Sequence, residues 1–154
     1  LSEVNRYILQ NKDKELVNLK TELAFVHSYV FLLKIRYPDN LDISFEIDED
    51  YMEYYIAPLT LQMLVENSIK HNIISKQQPL KVNIYIAADQ TLIVENNLQR
   101  KRVIEKSTKT GLVNIKKRYA FFGNKNISNS EQNDQFKVGI PLLDVMKNEE
   151  FILS

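Results

Sequence analysis

The chain has 154 residues, with 20 lysines and arginines balanced by 20 aspartates and glutamates, so its formal net charge is zero. The hydrophobic fraction of 44% predicts a globular domain with one core, and the lack of a basic excess argues against a nucleic-acid partner. There is no cysteine, which excludes disulfides and thiolate metal sites, and two histidines are too few for a multi-histidine metal site. No apolar stretch of the sequence is long enough to span a membrane.

The first residue is leucine and not methionine, so we expect a fragment of a longer protein whose membrane segments, if any, lie outside this chain. Residues 2–36 predict helix, with a break near 11–14 and apolar side chains at helical spacing after the break. Pro38 ends this helical segment, because the residue before a proline resists the α conformation. Alternating apolar residues over 43–47 then predict a strand.

The rest of the chain alternates between helical and strand patterns. Pro58 favours a helix that begins just after it, and the following residues predict a helix over 61–72. The remaining predictions are strands over 80–86 and 91–95 joined by a turn at 88–90, a basic loop over 98–109, a helix over 111–122, a connection over 123–134 and a strand over 136–140. Helices combined with a mostly antiparallel sheet predict an α+β fold, a two-layer α/β sandwich.

The helix predicted over 61–72 is amphipathic. Its aliphatic side chains form one stripe, while Glu66, Asn67 and Lys70 lie on the other side, adjacent or one turn apart. A carboxylate, an amide and an ammonium group gathered there could hold a metal ion and an anionic ligand. The alternative, which holds for most helices of this composition, is a solvated polar face.

Four segments resemble, in the same order, the motifs of a known family. Residues 61–71, LQMLVENSIKH, resemble the N-box LQPLVENAIKHG of LytS-type sensor histidine kinases. Residues 93–97, IVENN, take the place of that family's first glycine box, VxDNGxG, and residues 110–119, TGLVNIKKRY, resemble its second. Residues 136–142, FKVGIPL, resemble its closing strand, and residues 1–9 resemble the stretch LSxxxRYxL that follows its phosphoacceptor segment. The resemblance therefore covers nearly the whole chain.

The resemblance implies a Bergerat-type ATP-binding fold of the GHKL superfamily, with N-terminal helices and with ATP and Mg²⁺ as cofactors. It places Asn67 on the magnesium ion, which takes oxygen ligands, and Lys70 near the phosphates as a point charge. Glu66 would orient a proton acceptor or a water molecule, so the catalytic residues implied are Glu66, Asn67 and Lys70. His71 either lines the nucleotide or packs structurally at the end of the helix.

Both glycine boxes depart from the family pattern. Asn96 replaces the aspartate that accepts a hydrogen bond from the adenine amino group, and an amide oxygen can still accept that bond without a charge. In the second box Thr110, Gly111 and Leu112 are the expected nucleotide contacts, since backbone N–H groups at a helix start after Gly111 could face a phosphate. Leu98 replaces a glycine of the first box. Fewer glycines allow less close backbone approach, so weaker or more selective nucleotide binding is expected.

Two further positions narrow the chemistry. Gyrase-type relatives of this fold carry a glutamate one turn before the metal asparagine to activate water, and Met63 holds that position here. A thioether cannot act as a general base, so phosphoryl transfer or binding alone is favoured over the hydrolysis of a chaperone-like or topoisomerase-like ATPase. No segment matches the family's phosphoacceptor motif, and His27 lies in a different context, so we expect the substrate histidine upstream of this fragment.

The resemblance thus predicts the ATP-binding catalytic domain of a bacterial two-component sensor histidine kinase, a transferase that passes the ATP γ-phosphoryl group to an upstream histidine. Residues 1–37 would be the helical remnant of the dimerisation and phosphoacceptor region, and residues 38–154 the ATP-binding domain. The expected partners are a second copy in the full-length protein and a response regulator, in the cytoplasmic part of an inner-membrane-anchored sensor. The alternative is a degenerate, non-catalytic Bergerat scaffold for dimerisation or regulator docking.

Overall fold

The structure, a computed structural model, describes residues 16–101, 106–120 and 127–144, with the backbone alone for residues 106–110. These ranges contain three α-helices and seven strands, numbered here in chain order. The helices are α1 (Leu19–Arg36), α2 (Thr60–His71) and α3 (Lys106–Ala120). The strands are β1 (Val17–Asn18), β2 (Leu41–Glu46), β3 (Tyr55–Ile56), β4 (Leu80–Ala87), β5 (Thr91–Asn97), β6 (Ser128–Gln132) and β7 (Gln135–Pro141).

A five-stranded mixed sheet forms one layer of the fold. Its strand order is β2-β4-β5-β7-β6, and the β2–β4 pair alone is parallel. The predicted hairpin is confirmed, because β4 and β5 are antiparallel neighbours joined through Asp89 and Gln90, which both have positive φ. The predicted two-layer α+β sandwich is confirmed as well.

The core lies between the helices and the inner face of the sheet. Val82 and Ile84 of β4 and Val94 of β5 are buried in one cluster with Leu64 and Val65 of α2. The aliphatic stripe predicted for the second helix therefore faces the sheet, and each such side chain contributes about 1.5–3 kcal/mol by leaving water. The polar side of the same helix is left to face a cavity on one flank and α1 on the other.

Helix α1 begins where Asn18 caps it, since the Asn18 side-chain oxygen accepts a hydrogen bond from the backbone N–H of Thr21 at 2.9 Å. It ends at Arg36, two residues before Pro38, as the sequence predicts. Its buried side chains join the core of the sheet. The domain boundary after residue 37 stays a prediction.

Two predictions for the second half of the chain are wrong in part. The loop expected over 98–109 ends earlier, because α3 begins at Lys106. The connection expected over 123–134 contains the edge strand β6, whose residues are all exposed and therefore carry no apolar alternation. The two-residue turn that follows β6 does mark a hairpin, because Asn133 and Asp134 both have positive φ, as a primed turn requires.

The helix expected over residues 2–36 is wrong at 17–18, where the chain forms β1, and the short pair of β1 and β3 was not predicted either. Val17 pairs with Ile56 in an antiparallel ladder of two residues per strand, which is too short to show a sequence period. Residues 1–15, 102–105, 121–126 and 145–154 lie outside the described ranges, and with them part of the early helix prediction. No helix in the part of the chain that the structure describes is long and apolar enough to cross a membrane.

Candidate functional site

A cavity of about 330 Å³ lies between α2, α3 and the inner face of the sheet. Strands β5 and β7 form its floor, the two helices form its walls, and β6 with the segment after β5 contributes the remaining side. Seven apolar residues and nine polar or charged residues line it, and a concave site that combines apolar walls with polar groups is suited to a small molecule. The lining residues are Leu64, Asn67, Ser68, His71, Asn72, Val94, Asn96, Leu98, Arg100, Leu112, Val113, Lys116, Asn129, Glu131, Phe136 and Val138.

Asn67 projects from α2 into this cavity. Its side chain is half-buried, and its amide makes no hydrogen bond to any residue of the described ranges. A Cβ atom built on Gly111 of α3 would lie 3.6 Å from Asn67 Oδ1, so the amide oxygen faces that helix. An amide oxygen with no hydrogen-bond partner among the described residues is therefore available at the junction of the two helices.

The expectation that α3 starts at Gly111 is wrong, and this changes what its backbone can do. The helix begins at Lys106, so Gly111 and Leu112 lie inside it. Backbone N–H groups beyond the first turn of a helix are hydrogen-bonded within the helix. The N–H groups that follow Gly111 are therefore not the helix N-terminus that was expected to face a phosphate.

Asn96 lies buried at the floor of the cavity, at the end of β5. Its Oδ1 accepts a hydrogen bond from Ser68 Oγ at 3.2 Å, and its Nδ2 donates to the backbone carbonyl of Asn97 at 2.9 Å. These two contacts fix the orientation of the amide, with the oxygen towards α2. An amide oxygen has two lone pairs, so Oδ1 can accept a second hydrogen bond from a ligand.

The C-terminal end of α2 is tied to the segment that follows β5. Buried Asn72 donates from Nδ2 to the carbonyl of Ser68 at 2.8 Å and accepts the backbone N–H of Gln99 on Oδ1 at 2.7 Å. The backbone N–H of Lys101 donates to the carbonyl of His71 at 3.1 Å. The segment 99–101 is therefore held against the end of α2. The side chain of Arg100, which lies between these contacts, lines the cavity.

Glu66 and Lys70 are brought together, but not in the cavity. Lys70 Nζ lies 2.8 Å from Glu66 Oε1, and Gln62 Nε2 donates to Glu66 Oε2 at 2.8 Å. Neither side chain lines the cavity. Burial, followed by the charge of Glu66, raises the pKa of Tyr29 in α1 to about 12, which places Glu66 on the flank of α2 that faces α1. Their catalytic roles stay predictions.

Two buried polar side chains hold the beginning of α2. The carboxylate of Glu22, fully buried in α1, accepts the backbone N–H of Leu59 at 3.1 Å and that of Leu61 at 3.3 Å. A carboxylate is well placed there, because the first N–H groups of a helix lack partners within it and carry partial positive charge. The hydroxyl of Tyr119 accepts the backbone N–H of Ala57 at 3.0 Å, and burial raises the pKa of Tyr119 well above its ordinary value.

Some of the predicted site residues meet at the cavity, whereas Glu66 and Lys70 lie outside it. Asn67, His71, Asn96 and Leu112 line one cavity, and Gly111 lies beside Asn67. For Thr110 the structure describes the helical backbone but not the side chain.

The sequence reasoning missed six polar residues that line the cavity: Ser68, Asn72, Arg100, Lys116, Asn129 and Glu131. One signal was available, because Arg100 takes the place of the last glycine in the pattern VxDNGxG when Asn96 takes the place of its aspartate.

Comparisons with family models, protein sequences and solved structures all match sensor proteins or histidine kinases. The family model described as histidine kinase matches residues 1–41. The sensor protein LytS of Staphylococcus saprophyticus is 41% identical over 71 residues, which are 46% of this chain and 12% of that protein. The sensor histidine kinase/phosphatase LytS of Staphylococcus aureus is 30% identical over 103 residues, 64% of this chain and 18% of that protein. The chain therefore spans less than a fifth of the length of these relatives.

Solved structures share the fold at low sequence identity. The cytoplasmic segment of histidine kinase QseC has a TM-score of 0.56 at 14% identity, over 92% of this chain and 90% of that one. Histidine kinase AdeS of Acinetobacter baumannii has a TM-score of 0.53 at 16% identity, over 94% of this chain and 78% of that one. The catalytic domain of histidine kinase ThkA has a TM-score of 0.53 at 20% identity, over 82% of this chain and 94% of that one.

The fold, a helical layer packed on a mixed five-stranded sheet, is the one found in these solved histidine-kinase structures. The sequence similarity confirms the resemblance to LytS-type sensor histidine kinases.

Proposed function

We propose that this chain binds ATP with Mg²⁺ in the cavity beside Asn67, as the catalytic domain of a two-component sensor histidine kinase. The γ-phosphoryl group would pass to a histidine upstream of this chain, and a response regulator would then receive it. We expect the full-length protein to be a homodimer, anchored in the inner membrane by segments outside this chain. The observation that carries the proposal is the amide of Asn67, which faces the same cavity as the buried amide of Asn96.

Asn67 suits a magnesium ion. Mg²⁺ prefers oxygen ligands and keeps several of its waters, so one amide oxygen together with phosphate oxygens is a sufficient set. The Asn67 amide is half-buried and has no hydrogen-bond partner in the described ranges, so its oxygen needs no rearrangement to serve as a ligand. The ion would neutralise phosphate charge, which is the main requirement of phosphoryl transfer.

Asn96 is proposed to recognise the base. Its Oδ1 would accept a hydrogen bond from the adenine amino group while keeping its bond to Ser68 Oγ. Because the Nδ2 group is held by the carbonyl of Asn97, the amide does not need to be ordered when a ligand binds. His71, on the cavity wall one turn after Asn67, would contact the nucleotide from the side.

The neighbouring residues favour transfer over hydrolysis. Met63 lies one turn before Asn67, and its thioether cannot take a proton from water. Lys70 is half-exposed, and an i,i+4 ion pair on a helix surface is worth only about 0.3–0.5 kcal/mol. The ammonium group can therefore leave Glu66 at little cost and reach the phosphate chain, and Glu66 would then be free to orient a proton acceptor.

A second candidate function is a degenerate scaffold that binds no nucleotide and serves dimerisation or regulator docking. It is favoured by two departures from the family pattern: Asn96 stands in place of an aspartate, and the side chains of Leu98 and Arg100 line the cavity where the pattern has glycines. Side chains at these positions take up space that a base or a ribose would need.

Calorimetric titration of ATP, with Mg²⁺ and with the metal chelated, tests the proposed function. With Mg²⁺ we expect Asn67→Ala to bind roughly 100-fold more weakly than the wild type, since it loses the metal ligand. Asn114→Ala, an exposed asparagine of α3, is the matched control and should bind as the wild type does. Absence of wild-type binding at millimolar ATP, or equal binding by Asn67→Ala, would refute the proposal.

Asn96→Asp distinguishes the two candidates. If the chain is a degenerate scaffold, the wild type should not bind ATP and the restored carboxylate should create binding. If it is a catalytic domain, the wild type binds ATP already, and full-length protein carrying Asn67→Ala should lose histidine phosphorylation. If neither the wild type nor the Asn96→Asp variant binds ATP, the scaffold is not an ATP site that lost binding through the change to Asn96.

A further inference from the structure

One side of the cavity carries an ion pair to which the nucleotide site described above assigns no role. Arg100, in the segment after β5, pairs with Glu131 of β6, and both side chains line the cavity. Their side chains are 52% and 45% exposed, so water reaches both groups. The pair joins the segment after β5 to the edge strand across the wall of the cavity.

The backbone of Arg100 is held in place on both sides. The N–H of Gln99 donates to Asn72 Oδ1 at 2.7 Å, and the N–H of Lys101 donates to the carbonyl of His71 at 3.1 Å. Arg100 itself forms a β-bridge with Asn72. Any change of partner by the guanidinium group must therefore come from rotation of the side chain, within reach of the cavity.

The other partner stands on a strand with few tertiary contacts of its own. All five residues of β6 are exposed, and the strand pairs with β7 alone. Glu131 lies opposite Phe136 and Asn129 opposite Val138, so both face the cavity side of the sheet. Asn129 Oδ1 accepts a hydrogen bond from Lys116 Nζ of α3 at 2.5 Å. Glu131 thus pairs with Arg100 and Asn129 accepts from Lys116, so each cavity-facing side chain of β6 contacts one cation.

These cations are suited to an anionic ligand. Since Gly111 and Leu112 lie inside α3, their backbone N–H groups are committed to the helix and do not serve a phosphate chain. Arginine binds phosphate with two parallel hydrogen bonds, and such charge-assisted pairs are the strong ones. A half-exposed pair with a single carboxylate shifts an equilibrium only about two- to fivefold. A polyphosphate carries more charge than Glu131 and can displace it.

From these contacts we propose that Arg100 binds the phosphate chain of the ligand, and that Glu131 is its built-in competitor, which the ligand displaces on binding. The inference deepens the proposed function and rests on its nucleotide site. It names the ligand class as a polyphosphate, either a nucleoside triphosphate or inorganic triphosphate, and it excludes an uncharged nucleoside from this contact.

Inorganic triphosphate, ATP and adenosine, each titrated with Mg²⁺ into the whole chain, test the inference. Glu131→Gln frees Arg100 and should tighten triphosphate and ATP about two- to fivefold, while adenosine is unaffected. Arg100→Gln should weaken triphosphate and ATP roughly tenfold. Glu131 lies on an exposed strand and the Arg100 side chain is half-exposed, so both variants should fold. Thermal unfolding checks that they do.

Two comparisons separate a specific pair from general charge. In the Arg100→Gln background, Glu131→Gln should bring no further gain in affinity, because the competitor acts through Arg100. Glu95→Gln is the matched control, since Glu95 pairs with Lys137 at 3.1 Å in the same sheet. Glu95 alternates with the cavity-lining Val94 and Asn96 and therefore points to the opposite face, so this variant should leave all three affinities unchanged.

The inference is overturned if inorganic triphosphate does not bind, if Glu131→Gln brings no gain, or if the gain persists without Arg100. It is also overturned if adenosine gains as much as triphosphate. Failure of the proposed function gives a different result: ATP does not bind, because Leu98 and Arg100 exclude the base, while inorganic triphosphate binds and still responds to Glu131→Gln.

Discussion

The two ends of helix α2 are built in opposite ways. At its beginning, buried Glu22 accepts two backbone N–H groups and buried Tyr119 accepts a third from Ala57. At its other end, the half-buried Asn67 has no partner among the described residues, and the half-exposed Lys70 pairs with Glu66. The first end is held by satisfied polar groups alone, whereas the second combines the satisfied side chain of Asn72 with groups that can change partners.

This difference separates stability from binding along a single helix. A buried carboxylate is expensive to leave unpaired, so the first end tolerates little change. Half-exposed polar contacts are weak in water, so the second end can exchange them for a ligand. The following predictions test that division, each through a substitution or a change of pH.

The largest expected effect is at the first end. Glu22→Ala leaves the N–H groups of Leu59 and Leu61 buried without an acceptor and should lower the free energy of unfolding by about 3–5 kcal/mol. Urea denaturation followed by circular dichroism measures this loss. Glu46→Ala, at an exposed glutamate of β2, is the control and should change stability by less than about 0.5 kcal/mol. Equal stability of Glu22→Ala and Glu46→Ala would show that the hydrogen bonds of Glu22 do not stabilise the fold.

A smaller loss is expected at the junction between the helix end and the segment after β5. Asn72→Ala removes the acceptor of the Gln99 N–H and the donor to the Ser68 carbonyl, and should reduce the unfolding free energy by about 1–3 kcal/mol. It should also weaken triphosphate binding, because one of the two hydrogen bonds that flank the backbone of Arg100 is lost. A loss of stability with unchanged triphosphate affinity would mean that this tie does not position Arg100.

Alkaline pH should act on the packing around α2. Burial raises the pKa of Tyr29 to about 12 and that of Tyr119 further, whereas an unfolded tyrosine ionises near pH 10. Between about pH 10 and 12 the folded chain therefore binds more protons than the unfolded chain, and its unfolding free energy falls as the pH rises. Urea denaturation over this range measures the fall, which Tyr29→Phe should make less steep. An unchanged slope in Tyr29→Phe would contradict the buried state of this phenol.

The smallest effect on stability is expected at Lys70. Lys70→Ala breaks a half-exposed i,i+4 pair and should change the unfolding free energy by only about 0.3–0.5 kcal/mol. Histidine phosphorylation by the full-length protein should nevertheless decrease, if Lys70 leaves Glu66 for the phosphates. Gln62→Ala, which also removes a Glu66 contact, should leave phosphorylation unchanged. If Lys70→Ala is phosphorylated at the wild-type rate, the proposed contact of Lys70 with the phosphates is wrong.

Much of the fold follows from local patterns. The aliphatic stripe of α2 and the alternation in β4 and β5 are periodic over enough residues to predict both elements, and Pro38 marks the end of α1. β6 escaped prediction because an edge strand that buries no side chain has no reason to alternate apolar and polar residues. The start of α3 escaped prediction because Gly111 suggested a helix boundary, whereas the helix continues through that glycine.

The sequence by itself determined which side chains α2 presents, since a helix fixes the direction of every residue on it. The family resemblance, and not the helix geometry, predicted Asn67, His71 and Asn96 for one site, and the structure places all three around one cavity. Only the tertiary structure decided that Glu66 faces α1 rather than the cavity, and that Arg100 meets Glu131. Contacts between segments far apart in the chain depend on how the helices and the sheet pack, and a local period carries no information about that packing.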